Sequence, residues 1–585
     1  MLTHGTLQLV MLKKMKMKRV VKKVVLTALI LCVAAVCSYA QHLRANGKLI
    51  VDSSGLSVIL RGMGLGGWML QEGYMLQIYN NGTQHSIKKR IADLIGSERC
   101  NRFYSSWHST FVTKADIDSL RCWGFNSVRL PMHYNLFTLP IENEPDSLSN
   151  TWLPKGFEMV DSLLSWCKAN KMYLVLDMHA APGGQGKDAN ISDYDDTKPS
   201  LWEDNRNRRK LVALWKKLAE RYANEEWIAA YDILNEPNWT FEGKNKNGTE
   251  DAANTPIWDL YKEITTAIRS VDKNHIVIIE GNGWGNNYNG LPQLWDNNMA
   301  LSFHKYWNSN SQDQLSGILA LRESRNVPIW LGESGENSNK WFTDCIALME
   351  SNQIGWAWWP LKKIGSVICP LTINKPNGYD KITSYWNGGT EKPSSEEAAA
   401  VFEELSKNLA IGKNGFNKDL IDALFRQVND TSTIAYDLNL TPCRIPAASY
   451  DLGRAGHAYF DTDSERCDNL SLKGGNNGHH LRNDGVDIYF DQKSAQSYVS
   501  LKKGEWLKYT VKSPKNKAYK ASILLLAAGS TAKLSVVGNG RTISSTITPS
   551  DQQIDLGKIM LKKGENPFMV KCTDGEASIT AIDLK

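Results

Sequence analysis

Polar and charged residues follow several short apolar runs of this sequence, at the points where those runs end. The most reactive are two glutamates, Glu236 in Asn235-Glu236-Pro237 and Glu333 in Gly332-Glu333-Ser334. A pair of carboxyl groups can carry out a double displacement, in which one protonates the leaving oxygen while the other attacks carbon. Such a reaction needs the two groups about 5 to 5.5 Å apart. The two glutamates are therefore the first candidates for a catalytic centre.

This chemistry places opposite demands on the two glutamates. Glu236 must be protonated near neutral pH, which burial and a neighbouring carboxylate can bring about. Glu333 must stay ionised, and Arg129 and Tyr306 are the available hydrogen-bond donors. Asn235 can donate to a sugar 2-hydroxyl. The full set of candidate donors is Arg129, His179, Asn235, His304 and Tyr306, of which the two histidines are expected to donate to substrate or to the carboxylates.

Eight short runs of apolar and β-branched residues predict the strands that would carry these side chains. They are residues 57–62, 127–132, 172–179, 228–237, 276–281, 299–307, 328–335 and 354–360. Amphipathic stretches lie between them; within residues 208–222 a helical stripe is formed by Leu211, Leu214, Trp215, Leu218 and Tyr222. Alternating strands and helices predict an α/β fold, the (β/α)₈ barrel, whose active site lies at the carboxyl ends of its strands.

The sequence changes in character near residue 432, where strand-like runs separated by turn residues replace the alternation. These runs are residues 497–501, 505–511, 521–527, 533–537 and 566–571. Turns spaced about 8 to 12 residues apart are typical of a β-sandwich. We predict a barrel domain over residues 41–430 and an all-β sandwich of jelly-roll type over residues 431–585. Because the catalytic candidates precede residue 427, we expect the barrel to act on soluble substrates by itself.

Five motifs resemble, in order, the strand-end motifs of family 5 glycoside hydrolases. They are Arg129-Leu130-Pro131, Asp177-Met178-His179, Leu234-Asn235-Glu236-Pro237, His304-Lys305-Tyr306 and Gly332-Glu333. The resemblance covers about residues 45–410 and implies a retaining glycosidase. In it Glu236 is the acid/base, Glu333 the nucleophile and Trp359 the platform under the sugar at the cleavage point. Residues 64–68 and 107–111 further resemble the exo-β-1,3-glucanase branch.

Glu336 and the neighbouring pair Trp358 and Trp359 each have a structural interpretation besides a catalytic one. Glu336 is a rival for the nucleophile, but it lies beyond the predicted strand end, and we interpret it as a solvated loop charge. Trp358 and Trp359 point to opposite sides of one strand, so one of them should fill the space between barrel and helices.

The tail resembles a family 6 carbohydrate-binding module. The motifs are Ala448-Ser449-Tyr450-Asp451, Asp461-Thr462-Asp463, Val486-Asp487-Ile488 and Gly504-Glu505-Trp506-Leu507-Lys508-Tyr509. By this resemblance Tyr498 is the sugar-stacking tyrosine. Two positions depart from the pattern of that family. Ala448 replaces an acidic residue that helps to hold calcium in the family, and Ser578 replaces an asparagine that is common there. The alternative is a packing domain, and Trp506 is expected in its core.

The N-terminus carries an export signal. A lysine-rich stretch precedes the apolar run 24–36 and the small-x-small site Ser38-Tyr39-Ala40. The run falls short of the roughly 20 residues that cross a bilayer, so we predict residues 1–40 as a signal peptide, cleavage near Ala40 and secretion. The mature chain keeps eight cysteines, whose spacing predicts no metal site and which could be bridged or free.

Bulk composition excludes other classes of function. The net charge is only +6, from 68 basic and 62 acidic residues, which does not suit a nucleic-acid binder. Residues 62–67 fit the GxGxxG pattern, but no second βα unit follows promptly, so no nucleotide or other cofactor is expected.

The function predicted from these patterns is hydrolysis of β-1,3 or β-1,4 bonds in a β-glucan polysaccharide or oligosaccharide by a secreted monomer. A non-catalytic polysaccharide-binding protein is the alternative from another class. A transglycosylase would use the same two carboxylates, because only the acceptor of the second step differs.

Overall fold

The computed structural model describes residues 42–306, 308–462, 478, 480–526 and 531–585. The predicted signal peptide and Cys467 lie outside this range. Residues 42–585 pack into one compact unit. In the described part of the chain, no helix combines the length and the apolarity needed to cross a membrane.

Eight parallel strands close into a barrel, as the sequence predicts. We label them β1 to β8: Arg61–Gly64, Ser127–His133, Tyr173–Ala180, Ile228–Asp232, Ile276–Glu280, Met299–Lys305, Ile329–Gly335 and Gly355–Trp359. Each strand pairs with the next, and β8 pairs with β1 to close the ring. β2 and β4 to β8 are buried along their whole length, as expected for a parallel sheet covered by helices.

Two strand bounds differ from the prediction. β1 begins at Arg61 rather than near residue 57, because the preceding residues 50–58 turn back on themselves, with Val58 N–H donating to Ile50 O. β4 ends at Asp232, so Glu236 lies beyond the strand in a tight loop.

Helices surround the barrel, and their bounds follow the amphipathic stretches. The longer ones are Gln84–Ile95, Ser97–Thr110, Lys114–Trp123, Pro154–Asn170, Asn205–Tyr222, Thr255–Arg269, Ser316–Arg325, Asn339–Ser351, Tyr379–Trp386, Ser395–Asn408 and Lys418–Leu424. The connection from β5 to β6 has only the one-turn segment Asn282–Gly285. Gly283 and Gly285 have positive φ there, and this glycine-rich connection does not continue a helix.

The predicted helix at residues 208–222 shows how packing fixes these elements. It spans Asn205–Tyr222, and the Asp204 side chain caps it by accepting from the Arg206 N–H. Leu211, Leu214, Trp215 and Leu218 are fully buried, as the stripe predicts. Truncating one of these leucines to alanine would cost about 2 to 5 kcal/mol of folding free energy.

The C-terminal region forms two antiparallel sheets around an apolar core. One has six strands, Cys443–Pro446, Ile488–Asp491, Gln496–Lys502, Lys517–Leu525, Gln553–Leu561 and Glu576–Leu584. The other has five, Tyr459–Phe460, Trp506–Ser513, Ala532–Gly538, Arg541–Ile547 and Gly564–Asp574. Trp506 is only half-buried, so the expectation that it lies in the core is wrong. It lies on the outer face, because its neighbour Leu507 takes the buried side of the strand.

The seven cysteines in the described residues are all free. Five of them are buried, at Cys100, Cys167, Cys345, Cys369 and Cys572. The thiols pack as small apolar side chains, since a domain of this size has enough core without disulfide bridges.

Candidate active site

A cavity of about 740 Å³ opens at the carboxyl ends of the barrel strands. Its wall includes both glutamates from the sequence prediction, Glu236 and Glu333, together with other charged and aromatic side chains. The remaining lining residues with chemistry to offer are Glu72, Tyr74, His179, Asp188, Trp284, His304, Tyr306, Glu336 and Trp359.

Glu333 is held at the end of β7 by two donors. Tyr306 Oη donates to Glu333 Oε1 at 2.5 Å, and Arg129 Nη1 donates to Oε2 at 2.8 Å. Residue 332 must be glycine, because a Cβ at this position would lie 2.1 Å from Ser302 Oγ. Both oxygens of the Glu333 carboxyl group therefore accept a hydrogen bond, one from a hydroxyl and one from a guanidinium. The orientation of the Glu333 carboxyl group is therefore fixed before any substrate binds.

Arg129 is the centre of a buried charge cluster. Its guanidinium is fully buried and lies 2.8 Å from Asp232, 3.2 Å from Glu280, 3.3 Å from Asp177 and 2.8 Å from Glu333. One buried cation therefore contacts four acidic side chains at once. Removing it from this buried cluster would cost far more than losing a surface ion pair.

Glu236 has an unusual backbone conformation. Its φ is +41°, a left-handed value that costs a residue with a Cβ about 1 to 3 kcal/mol. Glu280 Oε2 accepts the Glu236 backbone N–H at 2.7 Å and so stabilises the turn. The Glu236 side chain is almost completely buried, and burial raises its pKa above the ordinary value. This raised pKa favours a protonated Glu236.

His304 links the Glu236 side chain to Glu280. His304 Nδ1 lies 2.6 Å from Glu236 Oε1, and its Nε2 lies 3.2 Å from Glu280 Oε1. Burial lowers the pKa of His304, but the carboxylates of Glu280, Glu333 and Glu236 outweigh it and raise that pKa well above the usual range. A charged imidazolium donates from Nδ1 to Oε1, which leaves Glu236 Oε2 available to carry a proton.

The distance between the two glutamates distinguishes two reaction types. A carboxylate oxygen of Glu236, a ring nitrogen of His304 and a carboxylate oxygen of Glu333 lie within 4.8 Å of one another. Retaining glycosidases hold their carboxyl groups about 5 to 5.5 Å apart, and inverting ones about 6.5 to 9.5 Å. The close pair fits the retaining arrangement.

Trp359 ends β8 and forms one wall of the cavity. Its indole is parallel to the His179 imidazole, with ring centroids 5.3 Å apart, and its Nε1 donates to Tyr74 Oη at 2.9 Å. A Cβ on Gly66 would lie 2.2 Å from the Trp359 ring, so only glycine fits opposite it. Trp358 points away from the cavity and packs against Phe342, which makes it the core residue of the pair.

His179 lines the cavity, and Asn235 is fully buried beside it, just beyond the neighbouring strand. His179 Nδ1 lies 2.7 Å from Asp177, and its Nε2 lies 3.4 Å from Asn235 Nδ2. Burial lowers the pKa of His179, but Asp177 and Glu72 raise it to about 10. Asn235 Oδ1 accepts from Arg129 Nη2 at 2.8 Å, which fixes the orientation of its amide.

Several site residues escaped the sequence prediction. Glu280 could have been found, because it ends β5 as the other candidates end their strands. Glu72, whose pKa burial raises to about 7, and Tyr74 follow β1 in a loop without a recognisable pattern.

Glu336 is not a solvated loop charge, and that interpretation was wrong. Its carboxylate is 14% exposed, pairs with Lys363 Nζ at 2.6 Å and accepts from Tyr74 Oη at 3.2 Å. Lys363 neutralises it because the segment after β8 folds back against the loop after β7.

Tyr498 lies away from this cavity, on the sandwich. It is half-buried and pairs across two strands with Tyr489, with ring centroids 5.4 Å apart and planes at 24°. The structure therefore brings together every candidate from the sequence except this one.

Comparison with known proteins shows what the barrel is similar to. Residues 86–364 match the family described as Cellulase (glycosyl hydrolase family 5), a range that contains β2 to β8 and both glutamates. A beta-xylosidase of Phanerodontia chrysosporium is 28% identical over 361 residues, which are 55% of this chain and 71% of the relative.

Two other relatives bear different names. Endoglucanase C of Acetivibrio thermocellus is 26% identical over 317 residues, which are 45% of this chain and 87% of the relative. A probable glucan 1,3-beta-glucosidase A of Aspergillus clavatus is 31% identical over 186 residues, which are 31% of this chain and 42% of the relative.

Proposed function

We propose that this chain, a glycoside hydrolase whose barrel is similar to the family 5 model, hydrolyses β-glucosidic bonds of a β-glucan polysaccharide or oligosaccharide and retains the β configuration. The observation that carries the proposal is the buried pair Glu236 and Glu333, which have carboxylate oxygens within 4.8 Å of each other. The names of the endoglucanase and glucan 1,3-beta-glucosidase relatives support a β-glucan as substrate.

In the first step, a Glu333 carboxylate oxygen attacks the anomeric carbon as the bond to the leaving oxygen breaks. Glu236, protonated because burial raises its pKa, transfers its proton to that oxygen. The products are a glycosyl ester on Glu333 and an ionised Glu236. The Arg129 guanidinium and the Tyr306 hydroxyl orient Glu333 for the attack.

In the second step, water enters where the leaving group was. Glu236 accepts a proton from this water, the resulting hydroxyl attacks the anomeric carbon, and Glu333 leaves as a carboxylate. His304 and Glu280 keep Glu236 in place during both transfers. Two displacements at one carbon restore the original β configuration.

The other barrel candidates act on the sugar in this proposal. Asn235 donates its amide N–H to the 2-hydroxyl, a contact that strengthens as the oxocarbenium-like transition state forms. His179 offers a hydrogen-bond donor, and Trp359 provides an apolar wall for the sugar ring.

We extend the proposal to the rest of the chain in two respects. Tyr498 and Tyr489 offer stacked aromatic rings on the sandwich, which suit binding of a polysaccharide chain. The basic and apolar N-terminal segment with its small-x-small site supports secretion after cleavage near Ala40.

Reducing-sugar release from a panel of β-1,3-, β-1,4- and mixed-linkage glucans tests the function. We expect release from at least one member and none from an α-glucan control. Binding to the panel without release from any member would favour the non-catalytic alternative. Products longer than the starting oligosaccharide would identify transglycosylation.

A further inference from the structure

We propose that Asn483 of the sandwich is a positioning residue, which holds the loop that follows the proposed nucleophile Glu333. The inference rests on the proposed role of Glu333. It departs from the expectation that the barrel acts on soluble substrates by itself.

Asn483 is completely buried and holds the loop after β7 through both backbone and side chain. Its Nδ2 donates to Asn337 O at 2.7 Å and to Asn339 Oδ1 at 3.1 Å. In return, Asn339 N–H donates to Asn483 O at 2.9 Å. Three hydrogen bonds between the same two loops define a single relative position, which apolar packing would not do.

Neighbouring groups keep Asn483 rigid. Asp419 Oδ2 accepts the Asn483 backbone N–H at 2.9 Å, and Asn339 Nδ2 donates to Asp484 Oδ1 at 2.8 Å. Arg482 pairs with Asp484, and its guanidinium lies 3.6 Å from the centre of the Tyr450 ring inside the sandwich. The loop is therefore fixed in the sandwich at one side and bonded to the barrel at the other.

A chain of hydrogen bonds continues from this contact to the nucleophile. Asn337 Nδ2 donates to Tyr306 O at 3.1 Å, and Tyr306 Oη donates to Glu333 Oε1 at 2.5 Å. Asn337 is also only four residues beyond Glu333, across Gly335 and Glu336, which both have positive φ. Gly335 is pressed against β8, since a Cβ there would lie 2.2 Å from Trp359 O.

Asn483→Ala tests this role against a matched control, Asn566→Ala. Asn566 is also buried in the sandwich, but its side chain bonds to Lys562 and Gly564, away from the barrel. The readouts are kcat and KM on a soluble β-glucan oligosaccharide and the rate of inactivation by 2-deoxy-2-fluoro-β-glucosyl fluoride, which reports attack by the nucleophile.

We expect N483A to lower kcat and the inactivation rate about 10- to 100-fold with KM within about twofold, because small displacements of a reacting group have effects of this size. N566A should keep both rates within about twofold, even if its Tm falls. Equal rates in N483A and wild type, or equal losses in N483A and N566A, would overturn the inference. If N483A does not fold, Asn483→Ser carries the same expectation.

A double-mutant cycle with Tyr306→Phe tests the route. If Asn483 acts through Tyr306, N483A should cost less in the Y306F background than in wild type, whereas additive losses would exclude this route. Wild-type enzyme that hydrolyses glucan but is not labelled on Glu333 by the fluorosugar would refute the proposed nucleophile instead. Labelling of the wild type with an unchanged rate in N483A would refute only the role of the sandwich.

Discussion

The two regions proposed to contact sugar are built from different chemistry. The wall of the barrel cavity is supported by a buried charge cluster, with Arg129 among Asp177, Asp232, Glu280 and the cavity residue Glu333. The sandwich surface offers the half-buried rings of Tyr489 and Tyr498. Charges fixed in a buried site stabilise charge that develops in the transition state, whereas rings that stack on a sugar bind substrate and transition state alike. The first region should therefore control kcat, and the second only binding.

The barrel region also shows what such a site costs. Glu236 adopts a left-handed conformation, and four acidic side chains are buried together around Arg129. Neither feature improves folding stability, and both are maintained by the closed barrel around them.

Replacing Glu333 should give the largest effect. Glu333→Ala removes the proposed nucleophile and should lower kcat at least about 10⁴-fold on any glucan, a loss typical of deleted nucleophiles. Azide should then react at the vacated face and give an α-glycosyl azide. Glu336→Ala is the matched control: it lines the same cavity, but should lose far less activity and give no α-azide. Comparable losses in both variants would reopen the choice of nucleophile.

Glu236→Ala should rank second, with a loss of about 10²- to 10⁴-fold on substrates with poor leaving groups. Its first step should recover on a dinitrophenyl glycoside, whose leaving group needs no proton. The glycosyl-enzyme should then accumulate, and azide should release it as a β-glycosyl azide. An α-azide from this variant would mean that the two glutamates have exchanged roles.

The pH profile should sharpen the assignment of the acid. The first step needs protonated Glu236, so kcat/KM should fall as pH rises through its pKa. Because burial raises that pKa, this alkaline limb should lie above pH 4.5, the ordinary value for glutamate. In E236A acting on the dinitrophenyl glycoside, the limb should disappear. An unchanged limb in that variant would assign it to another group.

Tyr498→Ala should give the smallest effect, confined to binding. We expect affinity for insoluble β-glucan to fall about fivefold, equivalent to roughly 1 kcal/mol of aromatic contact, with soluble hydrolysis unchanged. Phe490→Ala is the control, since Phe490 is an exposed aromatic residue of the same hairpin. Equal binding losses in both variants would indicate nonspecific adsorption, and lost soluble activity in Y498A would remove the contrast between the two regions.

The barrel architecture could be predicted from the sequence, because buried strands are recognisable as short apolar runs. Most barrel strands are short apolar runs, several of them followed by polar residues, and the buried stripe of Asn205–Tyr222 repeats at helical spacing. The segment between β5 and β6 could not be assigned as a helix on the same basis, since its glycines remove that periodicity.

Residues that depend on loop closure were not predictable. Glu236 could be named from its motif, but its left-handed backbone and its bond to Glu280 follow from the meeting of two loops. Trp506 was assigned to the core as a tryptophan, yet strand alternation places Leu507 there instead. The contact between Asn483 and Asn337 joins residues far apart in sequence, so no local sequence pattern predicts it.

The configuration of the first product tests the central claim most directly. Proton NMR during the first minutes of hydrolysis follows the anomeric signals before mutarotation mixes them. Two displacements by Glu333 and then water predict that the β anomer appears first and the α anomer grows in later. If the α anomer appears first, the reaction is a single displacement, and Glu333 is not a covalent nucleophile.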